Sequence, residues 1–152
     1  MKKIFLLFIL LFSHSVFSQD ITVYLDEGDE LISKNKFSDA ENTFRKGLKE
    51  SPENPILKSQ LALALINQDK NDEAGRILDE ILVRQPEFTA ALWYGGINNF
   101  SKSKPDYRKA IFYFEKAYHL IDPDSPQDCR KLLCRKILQK ASVFGRSYLS
   151  GS

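Results

Sequence analysis

A chain of 152 residues has room for one domain around a modest core. Its hydrophobic content of 43% and charged content of 28% exclude wholesale disorder. The net charge of +2 sits in Lys2 and Lys3; from Gln19 onward basic and acidic side chains balance, so nothing in the bulk charge argues for nucleic acid or an anionic membrane.

The first segment reads as a secretory signal, residues 1–18. Lys2 and Lys3 form a positive start, and Ile4 to Phe12 are an unbroken apolar run. Ser13-His14-Ser15 break that run, and Val16-Phe17-Ser18 place short side chains before a cleavage point at Gln19. The apolar run covers only about 14 Å as a helix, against a hydrocarbon core of about 30 Å, so it is too short to span. No cysteine lies near the cleavage point to carry a lipid. The expected mature chain is exported, periplasmic or secreted, with no stable membrane anchor.

Next come repeated helix pairs. Phe37–Phe44, Asn71–Leu78 and Tyr107–Phe114 align, each with an alanine (Ala40, Ala74, Ala110) followed four residues later by a large apolar side chain. The alanines are 34 and 36 residues apart, and Pro52, Pro86 and Pro123 follow them by about twelve. Upstream of each alanine lies a second amphipathic stretch holding a small residue, Gly28, Ala62 or Gly96. Each unit thus reads as two helices joined by a short turn. Ser38 with Glu41 predicts a capping box opening the second helix of the first unit. Asn54-Pro55 and Ser125-Pro126 place a capping side chain before a proline at the first helical position.

These spacings resemble the tetratricopeptide repeat, a helix–turn–helix unit of 34 residues. Units starting at Ile21, Pro55 and Thr89 carry the resemblance to about residue 123, dividing the chain into 21–54, 55–88 and 89–123 within a repeat region of 19–123. The second unit lacks the glycine; the third has Asn99 where a large apolar residue is usual, and two extra residues within Ser101–Asp106. The resemblance implies an all-α, right-handed α-solenoid.

The remainder, 124–152, reads as a capping helix and tail. Cys129, Leu132, Leu133, Ile137, Leu138, Ala141 and Phe144 fall at helical spacing, opposite Arg130, Lys131, Arg135, Lys136 and Lys140. A repeat stack leaves an apolar end face that such a helix covers. Cys129 and Cys134 on one helix are about 7.5 Å apart in rise and point about 140° apart, beyond usual disulfide reach. Either the helix starts later and they bridge, or both stay reduced.

Catalytic chemistry finds little to work with. His119 is the only histidine after Gln19 and has no recognisable partner; one histidine and two cysteines complete no zinc spacing. Gly95-Gly96 suits close helix packing better than a phosphate cradle. We therefore expect no enzyme, no metal and no cofactor.

In the tetratricopeptide family the first helices of successive units line a groove that holds a partner segment. Carried onto this chain, the resemblance implies a partner-binding set of Leu25, Asp29, Ile32, Ile56, Ser59, Leu63, Ile66, Asn67, Trp93, Ile97 and Phe100, flanked by Thr22, Ser33, Ala90 and Ser101. Relatives that clamp a terminal carboxylate place Lys, Arg and Asn there; this set has Leu25 and Asp29 instead. Trp93 is either an aromatic anchor in the groove or a core side chain, with one residue of register deciding. The acids of Asp20–Glu30 and the basic residues after 128 suit head-to-tail homo-oligomers or an acidic partner surface, or are ordinary solvated helix faces. The expected function is a non-catalytic protein-interaction scaffold for a protein or peptide partner; the alternative is self-assembly or subunit packing within an envelope complex.

Overall fold

A computed structural model describes residues 21–120, and the expectations for 1–20 and 121–152, including the signal, Pro123, Ser125-Pro126, the two cysteines and the capping helix, lie outside that range. Within it are six helices: α1 (Ile21–Ser33), α2 (Phe37–Glu50), α3 (Pro55–Ile66), α4 (Asn71–Arg84), α5 (Thr89–Ser101) and α6 (Tyr107–Leu120). They pair as α1–α2, α3–α4 and α5–α6, and each pair packs on the next through α2–α3 and α4–α5.

The alanines that mark the repeat are completely buried: Ala40, Ala74 and Ala110 are all at 0% exposure. Close approach between the paired helices depends on a second contact. A Cβ on Gly28 would lie 2.2 Å from Phe44 Cε1, and one on Gly96 would lie 2.5 Å from Phe114 Cε1. At the equivalent positions of the second unit stand Ala62 and Leu78, both buried. The missing glycine is thereby explained. Where the facing residue is phenylalanine the first helix carries glycine, and where it is the smaller leucine the first helix carries alanine. Gly95 follows the same logic, since its Cβ would come within 3.1 Å of Tyr113.

Turn chemistry sets the pairing. Asn35 and Asp69, 34 positions apart, both have positive φ, at 56° and 59°. Lys36 N–H donates to Leu31 O and Lys70 N–H to Leu65 O, so α1 and α3 end in the same left-handed closing turn, which asparagine and aspartate tolerate. Asn54 caps α3 as its sequence predicts: Oδ1 accepts from Ile56 N–H at 2.9 Å and Leu57 N–H at 3.0 Å, with Pro55 at the first helical position. In the third unit Asp106 accepts at Oδ1 from Lys109 N–H, so the two extra residues end in a side-chain cap for α6.

The Ser38–Glu41 capping box does not form. α2 starts at Phe37, its N-cap residue is Lys36, and that position has no side-chain cap. The left-handed turn at Asn35 delivers the chain into the helix too early for Ser38 to stand outside it. Glu41 is used elsewhere. It accepts from Arg45 Nε at 2.9 Å, Lys70 Nζ at 2.8 Å and Gln68 Nε2 at 2.9 Å, tying α2 to the turn of the second unit. Burial works to raise its pKa, but these three donors outweigh it and hold the carboxyl below its ordinary value.

The solenoid is asymmetric in a way that creates a face. Backbones of the first helices approach one another, α1 to α3 and α3 to α5, within 8 Å between Cα atoms; the second helices make no such approach among the described residues. They meet through long side chains instead, Arg45 with Glu73 at 2.6 Å, and Tyr113 and Lys109 with Asp79. The first helices therefore line the concave side.

Gly28→Ala is expected to destabilise the protein by about 1–3 kcal/mol in urea unfolding, because Phe44 is fully buried and cannot yield. In a Phe44→Leu background the same substitution should turn neutral or stabilising, as the helix propensity of alanine, worth about 1 kcal/mol, emerges. An equal cost in both backgrounds would refute the pairing of these two positions.

Candidate functional site

At about 100° per residue, the outermost line of each first helix runs through the second, sixth, ninth and thirteenth positions of its unit. On α1 these are Thr22, Asp26, Asp29 and Ser33, all exposed. α3 contributes Ile56, Gln60 and Leu63, with Asn67 just past its end; α5 contributes Ala90, Tyr94, Ile97 and Ser101. Ile56 is 47% exposed. Leu63 is partly exposed, and among the described residues it lies outside the hydrophobic core cluster. Among the described residues, two apolar side chains on the middle helix of the concave face thus stand outside the core.

Of the residues expected in the groove, Asp29, Ile56, Leu63, Asn67 and Ile97 sit on this line. Asn67 is exposed and turns its amide back onto Leu63 O at 2.9 Å. Leu25, Ile32 and Ile97 are partly buried against the core, and Phe100 is partly buried with its ring edge-on to Tyr107 at 5.9 Å. Ser59, Ile66 and Trp93 are not surface residues. Their exposures are 2%, 7% and 8%, Ser59 Oγ bonds Ile56 O, and Trp93 packs edge-on to Phe114 at 5.3 Å between centroids. The reason is angular. The fifth and twelfth positions lie about 40–60° round the helix from the ninth, which turns Trp93 into the core of its own unit.

The sixth position was absent from the expected set, and the structure gives it a part. Gln60 Nε2 donates to Asp29 Oδ1, and Tyr94 Oη donates to Gln60 Oε1 at 3.2 Å. One amide therefore links α1, α3 and α5 in a polar ladder across the concave face. Asp26, Gln60 and Tyr94 recur at 34-residue spacing, the signal that could have found them. Asp29 has its pKa raised, chiefly by desolvation and then by the neighbouring Asp26, with the Gln60 bond opposing both.

Elsewhere the ionisable groups brace the solenoid. Lys58 bonds Glu80 at 2.7 Å and Glu53 at 3.1 Å, away from the concave line. Tyr113 donates to Asp79 at 2.8 Å, and burial together with that carboxylate pushes its hydroxyl pKa well up. His119 is exposed near the end of α6, beside the Tyr118 ring. Among the described residues no group of three His, Cys, Asp or Glu side chains could hold a metal, and no helix is long and apolar enough to cross a membrane.

Stacked helical hairpins at a 34-residue step, with small-against-large contacts in each, define an α-solenoid of the repeat type. The tetratricopeptide-repeat family model matches residues 31–94, the last part of the first unit, all of the second and the start of the third. Solved structures agree in fold. The first tetratricopeptide domain of Spaghetti (RPAP3), bound to the HSP90 peptide SRMEEVD, is 23% identical, with a TM-score of 0.67 over 84% of this chain and 94% of that one. The Sgt2 domain from Aspergillus fumigatus is 19% identical, with a TM-score of 0.74 over 88% and 84%. The first such domain of human RPAP3 is 20% identical, with a TM-score of 0.71 over 87% and 97%. No curated protein matches the chain significantly.

The two shifted carboxyls predict opposite pH behaviour. Asp29 binds its proton more tightly folded than unfolded, so its ionisation costs stability as pH rises past the ordinary value of 3.8. Asp29→Asn should raise the melting temperature at neutral pH and leave it unchanged well below that value. Glu41 has the reverse sign, its stabilisation being complete above 4.5 and lost as pH falls through its lower folded pKa. Glu41→Gln should lower the melting temperature at neutral pH, with the deficit fading in acid. Thermal melts of both variants across pH check the signs.

Proposed function

We propose that the protein is a non-catalytic interaction module that docks a segment of another polypeptide on the concave face of α1, α3 and α5. One observation carries this reading: on the middle helix of that face Ile56 is exposed and Leu63 partly exposed, and among the described residues neither belongs to the hydrophobic core. Uncovered apolar side chains on a rigid concave surface suit a partner's own apolar side chains. Two structural neighbours support it. The Spaghetti domain holds an HSP90 peptide, and the second tetratricopeptide domain of human RPAP3 holds an HSP70 peptide.

The place of action we propose is outside the cytoplasm. Lys2, Lys3, the apolar run Ile4 to Phe12 and the short side chains before Gln19 support export, followed by work as a periplasmic or secreted scaffold. If so, the protein recovered from the cell envelope begins at Gln19 by mass spectrometry; a chain that keeps Met1 in the cytosol defeats this part.

Trp93 is a poor probe of the docking face, since Trp93→Ala removes a packed ring at a cost of about 3–5 kcal/mol. The variant Ile56→Gln/Leu63→Gln leaves the core intact and should retain the parent's helical circular dichroism. A partner captured from envelope extract by the parent should bind this variant about tenfold more weakly or not at all. Equal capture by both proteins would move the docking site off the concave face.

A further inference from the structure

The charges around the docking face are one-sided. α1 and α5 contain no lysine or arginine, and the one lysine of α3, Lys58, is held by Glu53 and Glu80 off the concave line. Facing the groove at its α1 end are Asp26 and Asp29, three residues apart and so on the same side of one helix. Neither is paired with a cation among the described residues. The other acids of α1 are engaged elsewhere: Glu30 with Lys34, and Glu27 with the Thr43 hydroxyl at 3.5 Å.

Beyond those carboxylates the face is apolar or neutral. Ile56, Leu63 and Ile97 lie beside the amide of Gln60 and the hydroxyl of Tyr94. An acidic segment seated here would bring its charge against Asp26 and Asp29 with no cation of α1, α3 or α5 facing it, and like charges brought together on binding cost affinity and slow association. Spaghetti's peptide, SRMEEVD, ends in such an acidic run. A cationic segment meets the opposite situation: its apolar side chains cover Ile56 and Leu63 while a lysine or arginine faces the two carboxylates.

We infer that the concave face selects an apolar segment carrying basic side chains, which sit against Asp26 and Asp29, and rejects acidic chain ends. This inference rests on the docking face proposed above and adds the chemistry of its occupant. Gln60 assists by fixing Asp29 in place through its amide, so that the charge is presented at a constant position.

The test uses the full chain and two labelled amphipathic peptides, identical at their leucine positions and carrying lysine in one and glutamate in the other. Fluorescence anisotropy at low salt should show the lysine peptide binding at least about tenfold tighter, a preference that shrinks as salt rises. In Asp26→Asn/Asp29→Asn the ratio should fall to within about threefold. A glutamate peptide that binds as tightly as the lysine peptide, a lysine peptide that does not bind, or a preference that survives the double variant overturns the inference. Ile56→Gln/Leu63→Gln separates the two readings. If both peptides bind it as tightly as the parent, the docking face itself is wrong and the inference falls with it. If equal binding of the two peptides is lost in that variant, the face stands and only the charge selection fails.

Discussion

Everything in this solenoid depends on one steric match, a small residue on the first helix of each pair facing a large one on the second. Gly28 receives the Phe44 ring, Ala62 stands opposite Leu78 by register, and Gly96 receives Phe114. Close packing at native density leaves no slack at such a contact, so the combined volume of each pair is conserved although its members differ. With that distance set, Ala40, Ala74 and Ala110 can be buried completely, and the next unit can lie down on the first. The small residue is thus a response to its partner.

The same match explains how a docking face arises without any residue devoted to building it. First helices held close to their partners also come close to one another, and their outward lines merge into one surface. Gln60 joins that surface laterally through Asp29 and Tyr94. The polar braces on the opposite side, Glu41 with its three donors and Asp79 with Tyr113, keep the units in register while leaving the concave line free of lysine and arginine. Fold and surface chemistry are therefore linked through which side of the stack carries the ion pairs.

Much of the architecture was legible in the residues. The 34-residue step, the alanine–large pairs and Asn54-Pro55 are local signals that agree with one another, and each helix pair falls where they place it. What was not legible depends on angles of a few tens of degrees. Trp93, Ser59 and Ile66 differ from exposed neighbours by about half a right angle of helix rotation, which no spacing rule resolves. The Ser38–Glu41 capping box met its motif but failed because the left-handed Asn35 starts the helix early. The Asn35–Asp69 recurrence was visible all along as two turn-forming residues at the repeat distance. The ladder through Gln60 was hidden for another reason: its members are an acid, an amide and a phenol, and Asp29 stands at the ninth position of its unit while Gln60 and Tyr94 stand at the sixth.

The uneven linkage between units has a mechanical consequence. First helices approach one another within 8 Å between Cα atoms, whereas second helices are linked by the ends of arginine, lysine and tyrosine side chains. Bending the stack about its concave side thus falls on the outer side-chain contacts and on the α2–α3 and α4–α5 packing between units before it opens the inner seam. The molecule is a short leaf spring whose stiff leaf is the surface that would meet a partner.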